Sequence, residues 1–243
     1  MNRREFAGTM LTYGLIQMLW SRDLFAAEVK PIVAQWFKDL NSLGQDLKRK
    51  KLKDIEFQTK MEELYKKIDL AELVSFVDLS GIESKVKLPA NGAFSANFDL
   101  SKVEGLKNVS FGKQIFCMKK DRAVVPHGHS NMCTGFIVLK GTFRGRHYDR
   151  LEDKSDHYII KPTIDQEFKA GGASTISDHK DNIHWFKCTS ETGYIFNAHV
   201  IGYDPTIKES SSRLYLDPEG EKLAGGLIKA PKMTSGECHK KFG

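Results

Sequence analysis

The sequence predicts a mainly β protein, a barrel or sandwich of short strands preceded by an N-terminal helical segment. Three observations carry this. Apolar residues recur at three- and four-residue steps up to about residue 78. From about residue 86 the period changes to short runs rich in β-branched and aromatic residues. Gly, Asp, Asn and Pro separate those runs at the spacing of an all-β domain.

The chain has 243 residues, enough for one ordinary domain with an attachment. Its 40% hydrophobic and 28% charged content is that of a globular chain rather than a disordered one. No apolar run approaches the roughly 18–20 residues of a membrane-spanning helix, which excludes an integral transporter or channel. The net charge of +6 is too mild to argue for a nucleic-acid partner.

Residues 1–27 resemble a twin-arginine export signal. Arg3-Arg4 is followed by a weakly apolar stretch from Ala7 to Trp20 and by the small pair Ala26-Ala27. This predicts an exported, periplasmic protein. The competing reading is an amphipathic helix belonging to the fold of a cytoplasmic one. Residues 28–85 are expected to be helical. Ile32, Val33, Trp36, Phe37, Leu40, Leu43 and Leu47 line one face, and a second run from Ile55 reaches Val77. The cluster Lys48-Arg49-Lys50-Lys51 with Lys53 lies between the runs and reads as a solvated helix end. No aromatic residues interleave with it, as a nucleic-acid patch would require.

The barrel is expected over 86–216, with strands at 109–118, 135–143, 157–161, 173–177, 183–187 and 193–201. The segment 217–243, rich in Gly, Lys and Pro, is expected to be a loop-like tail. The four cysteines stand at 117, 133, 188 and 238 with no C-x-x-C pair. A zinc ribbon, a thioredoxin-type pair and a disulfide scaffold are therefore not expected.

The chemistry gathers on histidines. His127-Gly128-His129 lies on strand-like sequence, where residues two apart share a face, so both imidazoles aim at one point. Apolar sequence flanks the pair, which places it on a barrel wall facing inward. His184, within Asp181-Asn182-Ile183-His184-Trp185-Phe186, lies on a distant apolar strand that a barrel can bring alongside. The three together resemble the metal site of the cupin double-stranded β-helix. His179 is a rival third ligand in a polar turn, and His199 is a further candidate for the interior. A typical cupin carries a Glu four or five residues after the second His, and here those positions are Cys133 and Thr134. The expected ligand set is three neutral imidazoles, which leaves a divalent metal its full charge and attracts anionic ligands.

Several motifs in register extend the resemblance. Ile115-Phe116-Cys117-Met118, His127 to Met132, Leu139-Lys140-Gly141, Tyr148-Asp149 and Asp181 to Phe186 look like the thiol dioxygenases of the plant cysteine oxidase and cysteamine dioxygenase type. The resemblance covers roughly 110–216. It implies a mononuclear iron(II) held by His127, His129 and His184. It also implies a reaction that adds both atoms of O2 to a thiol to give a sulfinic acid. The implied substrates are peptides with an N-terminal Cys or small aminothiols and mercapto acids. Tyr203 aligns with the family's late tyrosine and is implied as a catalytic residue. Asn197 aligns with the family's substrate-binding Asp, but it carries no negative charge to pair with a substrate ammonium. The family's Arg-His-Cys stretch is represented only by Arg213-Leu214-Tyr215.

Two further residues are candidates for the substrate pocket. Cys133 reads either as a pocket thiol or as a small buried hydrophobe. Arg144 reads either as a partner for a substrate carboxylate or, with Arg146, as part of the outer barrel face. The first function expected is an iron-dependent thiol dioxygenase, a monomer acting on a small thiol or Cys-initiated peptide with O2 and no nucleic acid. Its rivals are a non-catalytic cupin that binds a metal or small molecule and another metal-dependent cupin enzyme.

Overall fold

The structure is a computed structural model that describes residues 22–101, 103–207 and 213–243, with side chains from Ile32 onward. Most of the expected export signal lies outside the described residues. The expected boundary at residue 27 falls within the first helix.

Four helices precede the barrel: α1 (Arg22–Lys48), α2 (Asp54–Tyr65), α3 (Leu70–Phe76) and α4 (Leu79–Lys85). The expected helical segment is thus broken three times. The first break is the basic cluster itself, where Lys50 takes a left-handed φ of 57°. Lys50 also reaches Asp204 at 3.1 Å. Helices α3 and α4 begin at side-chain caps: Asp69 accepts from Glu72 N–H and Asp78 from Gly81 N–H. The buried face of α1, with Val33, Trp36, Phe37, Leu40 and Leu47, matches the sequence periodicity. Ile32 differs: it is 55% exposed.

Two antiparallel sheets follow. The first orders β1 (Phe94–Ala96), β2 (Gly112–Lys119), β9 (Thr192–Ile201), β4 (Met132–Lys140) and β7 (Ala173–Ile176). The second orders β10 (Leu214–Leu216), β3 (Ala123–Gly128), β8 (Ile183–Cys188), β5 (Thr142–Asp153), β6 (His157–Lys169), β12 (Ile228–Met233) and β11 (Glu221–Lys222). From β2 to β5 and again from β6 to β10 consecutive strands alternate between the sheets, as in a double-stranded β-helix, so the fold is a cupin-type barrel with an N-terminal helical layer.

The hydrophobic residues divide into three layers that follow the pleat. Helices pack on the outer face of the first sheet, where Trp36, Phe37, Phe57 and Leu73 meet Cys133, Ile137, Phe196 and Val200. Phe116, Val138, Phe143, Phe186 and Ile195 fill the space between the sheets. The outer face of the second sheet is covered by the C-terminal segment. That segment corrects the expected loop-like tail at 217–243. Strand β12 pairs with β6 and with β10, and helix α5 (Ser235–Phe242) buries Cys238 and Phe242 against Val125, Tyr158 and Trp185. Each piece is too short to show a period by itself; the β6 edge and the apolar surface beneath it supply the order.

The helical layer is pinned as well as packed. Trp36 Nε1 donates to Leu64 O at 2.9 Å, and Tyr65 Oη donates to Gly135 O at 3.3 Å. A Cβ on Gly135 would lie 2.7 Å from Met61 Sδ, so glycine is what lets α2 approach β4 this closely. Phe37 is fully buried, with its ring 5.1 Å from Phe76, 6.0 Å from Phe98 and 6.0 Å from Phe196. Phe37→Ala is expected to cost about 3–5 kcal/mol, read as a lowered urea midpoint in equilibrium unfolding.

Candidate metal centre

Strand β3 ends at Gly128, so His127 lies on the strand and His129 directly past its end; the strand's path explains why the His127 ring faces inward. Val124 faces the interior and Val125 faces the C-terminal layer. His127, three residues after Val124, faces the interior again. Strict alternation would forbid this, and a register shift between Val124 and His127 permits it, with Pro126 inside the irregular stretch. His127 then pairs directly with His184 of β8. Gly128 separates the two ligands for a steric reason, because a Cβ there would lie 2.5 Å from Ile183 Cδ1 and 2.6 Å from Asn182 Oδ1.

The three rings converge. Their centroids are 4.7 Å apart for His127 and His129, 4.3 Å for His127 and His184, and 5.5 Å for His129 and His184. One ligand atom from each lies within 4.8 Å of the other two, and all three residues are buried. His127 Nδ1 is 2.7 Å from Val125 O, and His184 Nδ1 is 3.1 Å from Asn182 O. A carbonyl only accepts, so each Nδ1 carries the proton and each Nε2 keeps its lone pair. Burial, then the neighbouring imidazoles, hold the His127 and His129 pKa values well below the ordinary one. Burial pushes His184 down to about 3. Neutral nitrogen lone pairs brought this close together repel one another unless a cation or a donor joins them. The donor set fits a divalent transition metal, and among the described residues no carboxylate belongs to it.

Surrounding residues fix the ligands. Asn182 Nδ2 donates to His129 O at 2.9 Å and to Ser177 O at 3.2 Å, tying the two ligand-bearing stretches together. Asn131, just past the pair, adopts a left-handed φ of 57°. Its side chain clasps the Asp204 backbone through Asp204 N–H to Oδ1 at 2.8 Å and Nδ2 to Asp204 O at 2.7 Å. Asp178 accepts from Asn131 N–H at 2.7 Å and from the Tyr203 hydroxyl at 2.8 Å. Asn182 and Asn131 sit inside the sequence motifs, but only the folded backbone reveals what they hold.

The imidazoles open on a cavity of about 210 Å³. Phe116, Val124, Met132, Phe136 and Ile201 form its apolar part. Gln114, Thr134, Asn197, His199 and Arg213 form the polar part. Asn197 is therefore in the pocket, but its amide is engaged: Nδ2 donates to Thr134 Oγ1 at 2.6 Å, and Oδ1 accepts from Gln114 Nε2 at 3.3 Å and His199 Nδ1 at 3.0 Å. His199 faces the interior, and burial followed by the Arg213 charge lowers its pKa to about 4. A wider cleft of about 570 Å³ lies between α2 and the β6–β7 side of the barrel, but it contains no imidazole, so the chemistry is assigned to the smaller cavity.

Three candidates lie elsewhere. Tyr203 does not line the cavity. It packs beside the helical layer with its hydroxyl committed to Asp178, so it supports the loop after the ligand pair. Cys133 is fully buried on the helix-facing side of β4, because Met132 and Thr134 take the inward positions, and the plain hydrophobic reading is the one observed. Arg144 is half-exposed on the outer barrel face, ion-paired with Asp165. Arg146 shares that carboxylate and covers the Trp185 ring. The rival ligand His179 is 71% exposed and bonded to Asp54, away from the site. His147, for which the sequence supplies no signal, is fully buried inside the barrel opposite His184. Its Nδ1 has no partner among the described residues, and burial lowers its pKa to about 3.

No protein-family model and no curated protein matches the sequence. Solved structures do align with it. An oxalate oxidase in complex with the substrate analogue glycolate is 15% identical, over 48% of this chain and 54% of its own, with a TM-score of 0.36. A protein with a double-stranded β-helix domain from Klebsiella pneumoniae is 10% identical, over 49% of this chain and 80% of its own, with a TM-score of 0.35. Procruciferin, an 11S globulin of Brassica napus, is 14% identical, over 48% of this chain and 26% of its own, with a TM-score of 0.33. This chain thus spans about half the length of the oxalate oxidase chain it matches. At these TM-scores the likenesses carry no argument, and the fold assignment rests on the strand order. No described helix is long and apolar enough to cross a membrane.

The buried imidazoles give a signed pH dependence. Above their ordinary pKa of 6.5 they are neutral in both folded and unfolded chains and contribute nothing. Below it the unfolded chain takes up protons that His127, His129, His147, His184 and His199 refuse in the barrel. The metal-free protein is expected to lose stability as pH falls from 6.5 toward about 3, followed by chemical denaturation across that window. Replacing His184 with Ala is expected to abolish retention of metal through gel filtration, read by elemental analysis, while the β-sheet circular dichroism persists.

Proposed function

We propose that this protein is an iron(II)-dependent thiol dioxygenase that converts a thiol to a sulfinic acid. The observation that carries the reading is the ligand set: three buried, neutral imidazoles converging within 4.8 Å beside a small half-apolar cavity. The motifs running from Ile115 to Asp149 and from Asp181 to Phe186 support it. Both oxygen atoms end on the sulfur, so the thiol supplies every electron that O2 accepts and no second reductant is needed.

Iron(II), when bound, supplies the one-electron chemistry that lets O2 react with a thiol. The chain's own residues do the rest. His127 and His184 come from two strands held in fixed register, and His129 joins them from the residue just past the end of β3. Because none of the three is anionic, the bound cation keeps its charge and favours a thiolate over a thiol. Phe116, Met132, Phe136 and Ile201 limit water on the apolar side, where a short carbon chain fits. Thr134, Asn197 and His199 form a rigid polar wall whose donors and acceptors already satisfy one another.

The test is oxygen consumption by the iron-loaded chain with cysteine, cysteamine, 3-mercaptopropionate and a peptide with N-terminal Cys, with product mass read in parallel. At least one thiol is expected to accelerate O2 uptake and to gain two oxygen atoms, and His127→Ala is expected to abolish both. Silence across all four thiols with iron fully bound would overturn the proposal and favour a binding role.

A further inference from the structure

We infer that Arg213 is the specificity-determining residue of the cavity and that the thiol it selects carries a carboxylate rather than an ammonium group. The inference rests on the thiol reading above and adds the chemistry of the substrate's other end.

Charge around the cavity is one-sided. Among the described residues that line it, Arg213 alone carries a formal charge at neutral pH, and none is an Asp or Glu. Arg213 stands at the exposed rim, immediately before β10, whose Leu214 and Tyr215 pair with Gly128 and His127. The short strand thus anchors the guanidinium's backbone directly beside the H-x-H pair. Among the described residues no hydrogen bond or ion pair engages Arg213, whereas Arg144 and Arg146 on the outer wall share Asp165. A guanidinium presents paired donors in a plane that matches a carboxylate.

The opposite wall offers nothing to a cation. Asn197 is neutral, and its Oδ1 already accepts from Gln114 and His199. Gln114 Oε1 accepts from Ser95 Oγ at 2.8 Å. A substrate ammonium would enter past Arg213 toward a divalent cation, with no carboxylate among the described lining residues to offset either charge. A substrate with a thiolate at one end and a carboxylate at the other meets a positive partner at each. The cavity of about 210 Å³ suits a chain of a few carbons between them.

The test separates recognition from turnover. The full chain is loaded with Co(II) in place of iron. 3-Mercaptopropionate and cysteamine, equal in carbon spacing to within one atom, are titrated by calorimetry and by the cobalt–thiolate absorption band. The unmodified chain is expected to bind 3-mercaptopropionate at least about tenfold more tightly than cysteamine. Arg213→Gln is expected to bring the ratio near one, and Arg213→Glu to reverse it. Arg213→Lys is expected to restore part of the preference. Because the rim is exposed, added salt should weaken 3-mercaptopropionate binding in the unmodified chain and leave the Gln variant little changed, a response that a purely structural arginine would not give. A ratio near one in the unmodified chain, or one unaltered by Arg213→Gln, overturns the inference. Arg213-dependent binding without oxygen consumption by the iron form would leave the inference standing and remove the dioxygenase reading. Oxygen consumption with cysteamine alone would do the reverse.

Discussion

The structure depends on holding three imidazole nitrogens together inside the barrel wall. An imidazole in water has no reason to meet two others. Here the direct pairing of His127 with His184 fixes two of them across adjacent strands. The irregularity before His127 turns the H-x-H pair inward, and the Asn182 amide fastens the second stretch to the carbonyl of His129. Each device is polar backbone or amide chemistry inside a barrel, where it is worth more than in solvent because the alternative is an unsatisfied buried group. The ligand geometry is thereby prepaid by the fold.

That preparation explains the layers outside the barrel. The first sheet carries Thr134, Asn197 and His199 on its inner face and Cys133, Phe196 and Val200 on its outer one. The outer face is apolar and needs covering; the N-terminal helices cover it, with Trp36 and Tyr65 adding hydrogen bonds to the packing. The second sheet has the same requirement, and the C-terminal segment meets it with β12 and helix α5. Both attachments are structural extensions of the wall that holds the site, and among the described residues neither contributes a side chain to the cavity lining.

The missing carboxylate shapes what the site favours. A glutamate among the ligands would offset part of the metal's charge and narrow the coordination left open. Thr134, in its place on the inner face, instead donates to Ala198 O at 3.0 Å and accepts from Asn197, so it closes a neutral network. With a cation held by the three imidazoles, the cavity would have a positive pole there, facing a positive rim at Arg213 across a neutral wall. Anions gain from such a field and cations do not.

The sequence by itself determined the class of the fold, most of the interior strands though not β5, and the three histidines that converge. Those features depend on local rules, because strand periodicity sets which residues share a face and apolar flanks set which face is inside. The helical face of α1 was legible for the same reason. Tertiary structure alone decided where Cys133, Arg144 and Tyr203 went. Cys133 missed the pocket because a pleat admits only alternate residues, and Arg144 because an outer-face carboxylate, Asp165, was available. Tyr203 lies beyond the end of β9, where alternation no longer applies and Asp178 captures its hydroxyl. The roles of Asn182, His147 and Arg213 likewise arise only when segments far apart in sequence meet, and no period within one segment encodes which distant partner it will face.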